Sequence, residues 1–141
     1  MKKYFRLLFV WILVSGMISS RVQAQSWAEK MAATVMTVWK DSLVTDLSKP
    51  AKWTYDQGVI LKGIEGLWYR TGEPKYFNYL QKSMDLFVND KGEIRTYQAS
   101  DYNLDNVLCG RILLTLYKVT GKEKYYKAAF TLREQLKTQP R

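Results

Sequence analysis

The sequence predicts an all-α fold built from repeated helical hairpins, because one internal repeat and one alternation of helix types both point to it. Asp56 and Asp105 hold the same position in two similar stretches that are offset by 49 residues (56 to 105). Each aspartate precedes an aliphatic run, an aromatic residue, a Thr-Gly pair and a tyrosine, namely Trp68, Thr71-Gly72 and Tyr76, then Tyr117, Thr120-Gly121 and Tyr125. Segments that are apolar on most faces alternate with amphipathic ones. An α-hairpin solenoid or an α/α toroid requires this of its inner and outer helices.

Periodicity and capping signals predict five helical segments, at 26–44, 55–70, 75–88, 103–119 and 122–137. Ser26 and Glu29 form a capping box at the start of the first. The second and fourth are apolar on most faces, so we expect them to be inner helices that touch each other. Gly72 and Gly121 end these two helices, and Pro74 suits the first turn of the third.

The remaining segments connect or cover the inner helices. The third and fifth helical segments are amphipathic, which is typical of outer helices with one face in water. Between them, 89–97 has turn residues around Gly92 followed by an extended run, so we predict a loop with a short strand. In an α/α toroid such loops line a central cleft together with the inner-helix starts. We therefore expect Asp56 and Asp105 to open onto one shared site.

Residues 1–24 are predicted to be a secretory signal peptide. They combine a basic start, a short apolar stretch at 7–18 and a small-residue exit at 22–24. The apolar stretch is too short to span a bilayer, so we expect cleavage before Gln25. Residues 25–141 would then be a periplasmic or secreted protein that is not attached to a membrane. A retained N-terminal anchor is the alternative.

Composition excludes several kinds of chemistry. The chain has no histidine and one cysteine, Cys109, so it can form neither an intrachain disulfide nor a Ser-His or Cys-His pair. Cys109 lies in an aliphatic helical run, which favours a buried structural thiol. Removing the four basic residues of 1–24 from the chain's 22 leaves 18 against 13 acidic residues. These charges are scattered among acids on helix faces, so we expect no nucleic-acid partner.

The start of each inner helix carries the candidate site residues. Asp105 and Asn106 either cap their helix or present a carboxylate and an amide to sugar hydroxyls. Asp56 and Gln57 hold the same positions in the first copy. Several aromatic residues lie near these loops and either belong to the core or stack on sugar rings, namely Trp53, Tyr55, Trp68, Tyr97 and Tyr102.

Four strings resemble a known enzyme family. They are Trp53-Thr-Tyr-Asp-Gln-Gly-Val-Ile-Leu-Lys-Gly63, Ile94-Arg-Thr-Tyr97, Asp101-Tyr-Asn-Leu-Asp-Asn-Val107 and Leu136-Lys-Thr-Gln-Pro-Arg141. In this order they resemble the amino-terminal part of glycoside hydrolase family 105, the unsaturated rhamnogalacturonyl hydrolases, which are related to the family 88 unsaturated glucuronyl hydrolases. The resemblance covers essentially the whole chain after the signal peptide.

The resemblance implies part of an (α/α)6 barrel that acts on pectin-derived oligosaccharides. Such enzymes remove the Δ4,5-unsaturated uronic acid from the non-reducing end. An aspartic acid protonates the C4=C5 enol ether and activates water, and the resulting hemiketal collapses to release the sugar. This chemistry needs a proton donor and a placed water, so neither a metal nor a cofactor is implied. The implied partner is an unsaturated uronic-acid oligosaccharide.

Residue by residue, the resemblance implies a catalytic role for Asp105, which matches the first of the family's two active-site aspartates. Tyr55, Asp56 and Gln57 match the pocket-lining start of the preceding inner helix, and Trp53 and Asn106 are the further expected substrate contacts. The second aspartate, the main acid and base, lies in the family beyond the Gln-Pro-Arg string. We therefore expect this chain to be inactive alone.

Other interpretations remain open at this level. The chain is either a fragment of a longer gene product or a truncated pseudo-enzyme. Functionally, a non-catalytic helical-repeat module that binds a carbohydrate or a protein is the alternative to a hydrolase fragment. A purely structural adaptor would not need polar residues at the inner-helix starts, so Asp56 and Asp105 count against it.

Overall fold

The structure, a computed structural model, describes residues 26–44 and 49–140. In these ranges the chain forms five α-helices and two short 3₁₀ helices, which confirms the all-α prediction. The α-helices are α1 (Trp27–Val38), α2 (Tyr55–Thr71), α3 (Pro74–Asp85), α4 (Gly110–Thr120) and α5 (Glu123–Thr138). The 3₁₀ helices are Ala99–Asp101 and Leu104–Val107. The predicted signal peptide at 1–24 lies outside the described residues.

The hairpins α2–α3 and α4–α5 repeat one turn geometry. Gly72 and Gly121 follow the two inner helices in the left-handed region, with φ of 68° and 67°. Before them, the hydroxyls of Thr71 and Thr120 donate to the carbonyl oxygens four residues earlier, at 2.8 Å and 2.7 Å. The predicted repeat is therefore present in three dimensions, because both inner helices end through the same hydrogen bonds.

The two inner helices pack side by side, as predicted. Gly58 on α2 faces the side chain of Leu108, and a Cβ at Gly58 would lie 2.8 Å from its Cγ. Further along, the Thr115 hydroxyl of α4 donates to Oε1 of the buried Glu65 on α2. A common core joins both hairpins and includes Leu61, Ile64, Leu80, Met84, Ile112, Leu113, Leu116 and Leu132.

The connection between the hairpins folds back on α5. The predicted short strand is reduced to one antiparallel bridge between Val88 and Ile94. Gly92, between them, has φ of 84°, and a Cβ there would lie 2.5 Å from the Cβ of Lys127. Glycine is therefore required at this position by both its backbone conformation and its neighbour.

Helix α1 begins as predicted but ends early. The capping box is present, since Glu29 N donates to Ser26 Oγ at 3.3 Å and Ser26 N donates to a Glu29 carboxylate oxygen at 2.6 Å. The helix ends at Val38 and not at the predicted residue 44. Its C-cap Trp39 already has non-helical backbone angles, with φ of -116° and ψ of 76°. Further on, Gln57 binds the backbone of Leu43 and donates to its carbonyl oxygen at 2.6 Å.

The second inner helix also begins later than predicted. The sequence suggested one helix over 103–119, whereas a 3₁₀ helix comes first and regular α-helix starts at Gly110. The Asn103 side chain accepts from the backbone N–H of Asp105 at 3.0 Å. Local bonds of this kind compete with α-helical bonding and favour a tighter turn.

No helix in the part of the chain that the structure describes is both long and apolar enough to cross a membrane.

Candidate functional site

The starts of the two inner helices lie together at one end of the bundle. The Trp53 indole N–H, just before α2, donates to the carbonyl oxygen of Asn106 at 2.8 Å. One turn on, the Cys109 thiol donates to the carbonyl oxygen of Thr54 at 3.5 Å. The two starts are therefore directly bonded, as a shared site requires.

Both aspartates are exposed at this end, but they lie on different types of helix. Asp56 lies in the first turn of the regular helix α2. Asp105 lies in the 3₁₀ helix Leu104–Val107, which is separated by Asn103 from Tyr102, a residue with a positive φ of 49°. We call residues 102–107 the Asp105 segment.

The geometry separates Asp105 from the capping role. Asn103 is the residue whose side chain caps this 3₁₀ helix, because its Oδ1 accepts from the N–H of Asp105. Within 26–44 and 49–140 the Asp105 carboxylate itself bonds to no side chain or backbone group. Its negative charge is therefore available at the surface.

Two residues expected to contact substrate are instead buried. Trp53 is 2% exposed and packs edge-on against Phe87, with ring centroids 5.8 Å apart. Gln57 is 1% exposed, and its Nε2 donates to Ser42 Oγ at 2.7 Å and to the Leu43 carbonyl oxygen. Packing and these bonds account for both side chains without a ligand.

The other expected contacts remain accessible to different degrees. Tyr55 is 49% exposed, and Asp56 beside it is also exposed. Asn106 is half-buried and contributes its backbone carbonyl to the Trp53 indole. Among the residues expected to contact substrate, the exposed ones are thus Tyr55, Asp56 and Asp105.

A cavity of about 210 Å³ opens immediately before α2. Its lining comes from the segment that leads into the helix and is formed by Leu43, Val44, Lys49, Pro50, Ala51, Lys52 and Thr54. Two of these residues, Lys49 and Lys52, are cationic. The inner-helix starts therefore combine exposed carboxylates with nearby positive charge.

Cys109 takes no part in surface chemistry. Its side chain is fully buried, and burial raises the pKa of the thiol to about 12. Because the thiolate is the reactive form, this cysteine is inert at neutral pH. The prediction of a buried structural thiol is confirmed.

Residues at the C-terminal end of the outer helix α5 also support the site, although the sequence analysis did not identify them. Gln135 donates to the carbonyl oxygen of Asn103 at 3.3 Å, and Gln139 donates to that of Tyr102 at 2.9 Å. Gln135 lies on α5, and Gln139 is the residue that caps the end of this helix. An amide on an outer helix, in line with its apolar stripe, is the signal that could have identified Gln135.

Comparison with known proteins gives two findings. The model of Glycosyl Hydrolase Family 88 matches residues 27–141. A solved structure, described as a glycoside hydrolase from family 105 of C. acetobutylicum ATCC 824, is similar with 38% sequence identity and a TM-score of 0.70. The similarity covers 83% of this chain and 31% of that protein.

These findings agree with the resemblance of the four sequence strings and with the paired inner and outer helices. The described helices are consistent with part of an (α/α)6 barrel. Since the family model spans more than half of its residues, the chain belongs to glycosyl hydrolase family 88.

Proposed function

We propose that this chain is part of a hydrolase that removes the Δ4,5-unsaturated uronic acid from pectin-derived rhamnogalacturonan oligosaccharides. The observation that carries the proposal is the state of Asp105. Its carboxylate is exposed where two inner helices meet, and Asn103 supplies the cap that Asp105 would otherwise provide. A carboxylate that is exposed at the junction of two bonded inner-helix starts is placed to contact a bound sugar.

The proposed reaction requires few chemical groups, namely a proton donor and a water molecule. Protonation of the C4=C5 enol ether and addition of water to C5 give a hemiketal, which opens and releases the rest of the oligosaccharide. Asp105 contacts the unsaturated ring and the catalytic region, while the main proton donor is the second aspartate of the family, which follows the Gln-Pro-Arg string in the family's sequences. No metal or cofactor takes part in these steps.

The neighbouring groups suit such a substrate. Tyr55 and Asp56 offer a ring face and a hydrogen-bond acceptor to the sugar hydroxyls. Lys52, in the lining of the adjacent cavity, provides positive charge that favours an anionic uronate. The protein would meet this substrate in the periplasm or outside the cell, after removal of residues 1–24.

The first experiment compares the chain with a chimera. In the chimera, residues 27–141 replace the matching third of the C. acetobutylicum family 105 hydrolase. Both proteins are given the Δ4,5-unsaturated rhamnogalacturonan disaccharide, and loss of the double-bond absorbance is followed. We expect turnover by the chimera and none by residues 25–141 alone.

Two results would contradict this proposal. Turnover by residues 25–141 alone would show that the second aspartate is not needed. A folded chimera that binds the disaccharide but does not hydrolyse it would favour the non-catalytic binding module. The unmodified C. acetobutylicum hydrolase is the control for the assay.

A further inference from the structure

Gln135 is a buried amide whose hydrogen bonds all lead to the loops around the candidate site. It is 2% exposed on the inward face of α5. Its Oε1 accepts from the Tyr97 hydroxyl at 2.6 Å, and its Nε2 donates to the carbonyl oxygen of Asn103 at 3.3 Å and to Oε1 of Gln139 at 3.2 Å. A buried amide with its donors and acceptor satisfied holds its partners in one arrangement.

These bonds form a short path to Asp105. Gln135 fixes the peptide of Asn103, and the Asn103 side chain accepts from the N–H of Asp105. Gln139, itself bonded to Gln135, donates to the carbonyl oxygen of Tyr102 at the other end of the same turn. The amides of Gln135 on α5 and of Gln139 at its C-cap therefore hold the backbone that carries the Asp105 carboxylate.

The first repeat shows that helix packing alone does not require such a clamp. The position equivalent to Gln135, 49 residues earlier, is Leu86, which is 41% exposed. The helix start there, at Tyr55, is regular α-helix. Among the residues that the structure describes, an amide of the outer helix bonds to an inner-helix start in the second repeat, where that start is a 3₁₀ turn, and not in the first.

We propose that Gln135 is a positioning residue that holds the Asp105 carboxylate in its working orientation by clamping the Asn103 peptide. This inference rests on the proposed function for the role of Asp105, but the clamp itself is a separate claim. Small displacements of a group that contacts substrate are costly, up to about 100-fold in rate for about 1 Å. A buried amide outside the substrate's reach can therefore control catalysis.

The clamp is tested first on the unmodified chain by NMR. Gln135→Met keeps the length and burial of the side chain but removes its hydrogen bonds. Gln135→Glu keeps an acceptor for Tyr97 and removes the donors. The matched control is Gln57→Met, which removes a buried amide of the first repeat that is bonded to Leu43.

For both Gln135 variants we expect faster amide hydrogen exchange across the Asp105 segment and a shifted Trp53 indole resonance, since that indole donates to Asn106. The exchange of α2 should be unchanged. Gln57→Met should affect the region of Leu43 and leave the Asp105 segment alone. Exchange in the Asp105 segment that is unaltered, or that rises equally throughout the chain, would overturn the clamp.

The positioning role is tested in the chimera by kinetics. We expect Gln135→Met to lower kcat by about 10- to 100-fold with a smaller change in KM. In an Asp105→Asn background the same change should have little further effect, because both act through one group. Fully additive losses, or a normal kcat, would overturn the inference. An unmodified chimera without turnover would instead count against the proposed function and leave the NMR result to decide the clamp.

Discussion

The two inner helices end in the same way but begin differently. At the ends, Thr71-Gly72 and Thr120-Gly121 make the same bonds with nearly the same φ. At the starts, Asp56 lies on regular α-helix, whereas Asp105 lies on a 3₁₀ turn that α5 clamps from outside.

The difference separates what packing requires from what the site requires. Equivalent core positions need the same turn to bring the outer helix back onto the inner one, so the turn is repeated. The start that carries Asp105 is a 3₁₀ turn without regular α-helical hydrogen bonds, and Gln135 and Gln139 bond to its backbone. Departures from local regularity that are supported by the surrounding structure are typical of functional sites.

The largest expected effect on stability tests the shared part of the repeat. Leu67 and Leu116 hold equivalent positions and are 6% and 0% exposed. We expect Leu→Ala at either position to lower the free energy of unfolding by about 2–5 kcal/mol, because each change leaves a cavity in the common core. Denaturant unfolding measures both. If only one substitution is costly, the two hairpins do not share a core as described.

A smaller effect on stability, which depends on pH, distinguishes the equivalent residues Tyr125 and Tyr76. Tyr125 donates to an Asp85 carboxylate oxygen at 2.6 Å, and burial together with this bond raises its pKa above the ordinary 10.0. The hydroxyl of Tyr76 bonds to no group in 26–44 or 49–140. We expect Tyr125→Phe to cost about 1–1.5 kcal/mol near neutral pH and Tyr76→Phe to cost less.

The sign of the pH dependence follows from the raised pKa of Tyr125. Below pH 10 the stabilisation is fully present, and it is lost as the pH rises from 10 towards the folded-state pKa, because only the unfolded chain releases the proton. Unfolding measured at several alkaline pH values should therefore show a decline that is shallower in Tyr125→Phe. An equal decline in both proteins would mean that Tyr125 does not contribute.

Much of the fold could be predicted from the sequence. The 49-residue offset correctly paired Gly72 with Gly121, and the apolar excess of two segments correctly identified the inner helices that touch. These features depend on local chemistry, on the freedom of glycine at positive φ and on hydrophobic periodicity, which a sequence displays directly.

Less of the candidate site could be predicted from the sequence, because the burial of a side chain depends on residues that are distant along the chain. Trp53 and Gln57 look like ligand contacts in the sequence, but Phe87 and the chain at 42–43 cover them. The late start of α4 was missed because the Asn103 side chain replaces α-helical bonds, and the carbonyl oxygen of Asn103 is itself bonded to the distant Gln135. The hydrogen bond between Gln135 and Asn103 joins residues 32 positions apart, and such a contact produces no pattern in the local sequence.

The most direct test of the central claim is the comparison of Asp105→Asn with Asp56→Asn in the active chimera. Neither aspartate caps its helix, and asparagine has nearly the same shape as aspartate, so neither change should disturb folding. If the Asp105 charge acts on the substrate, Asp105→Asn lowers kcat/KM by roughly 10²- to 10⁴-fold, while Asp56→Asn has a smaller effect. Near-normal kcat/KM in folded Asp105→Asn protein would contradict the claim and leave Asp105 as an ordinary exposed surface residue.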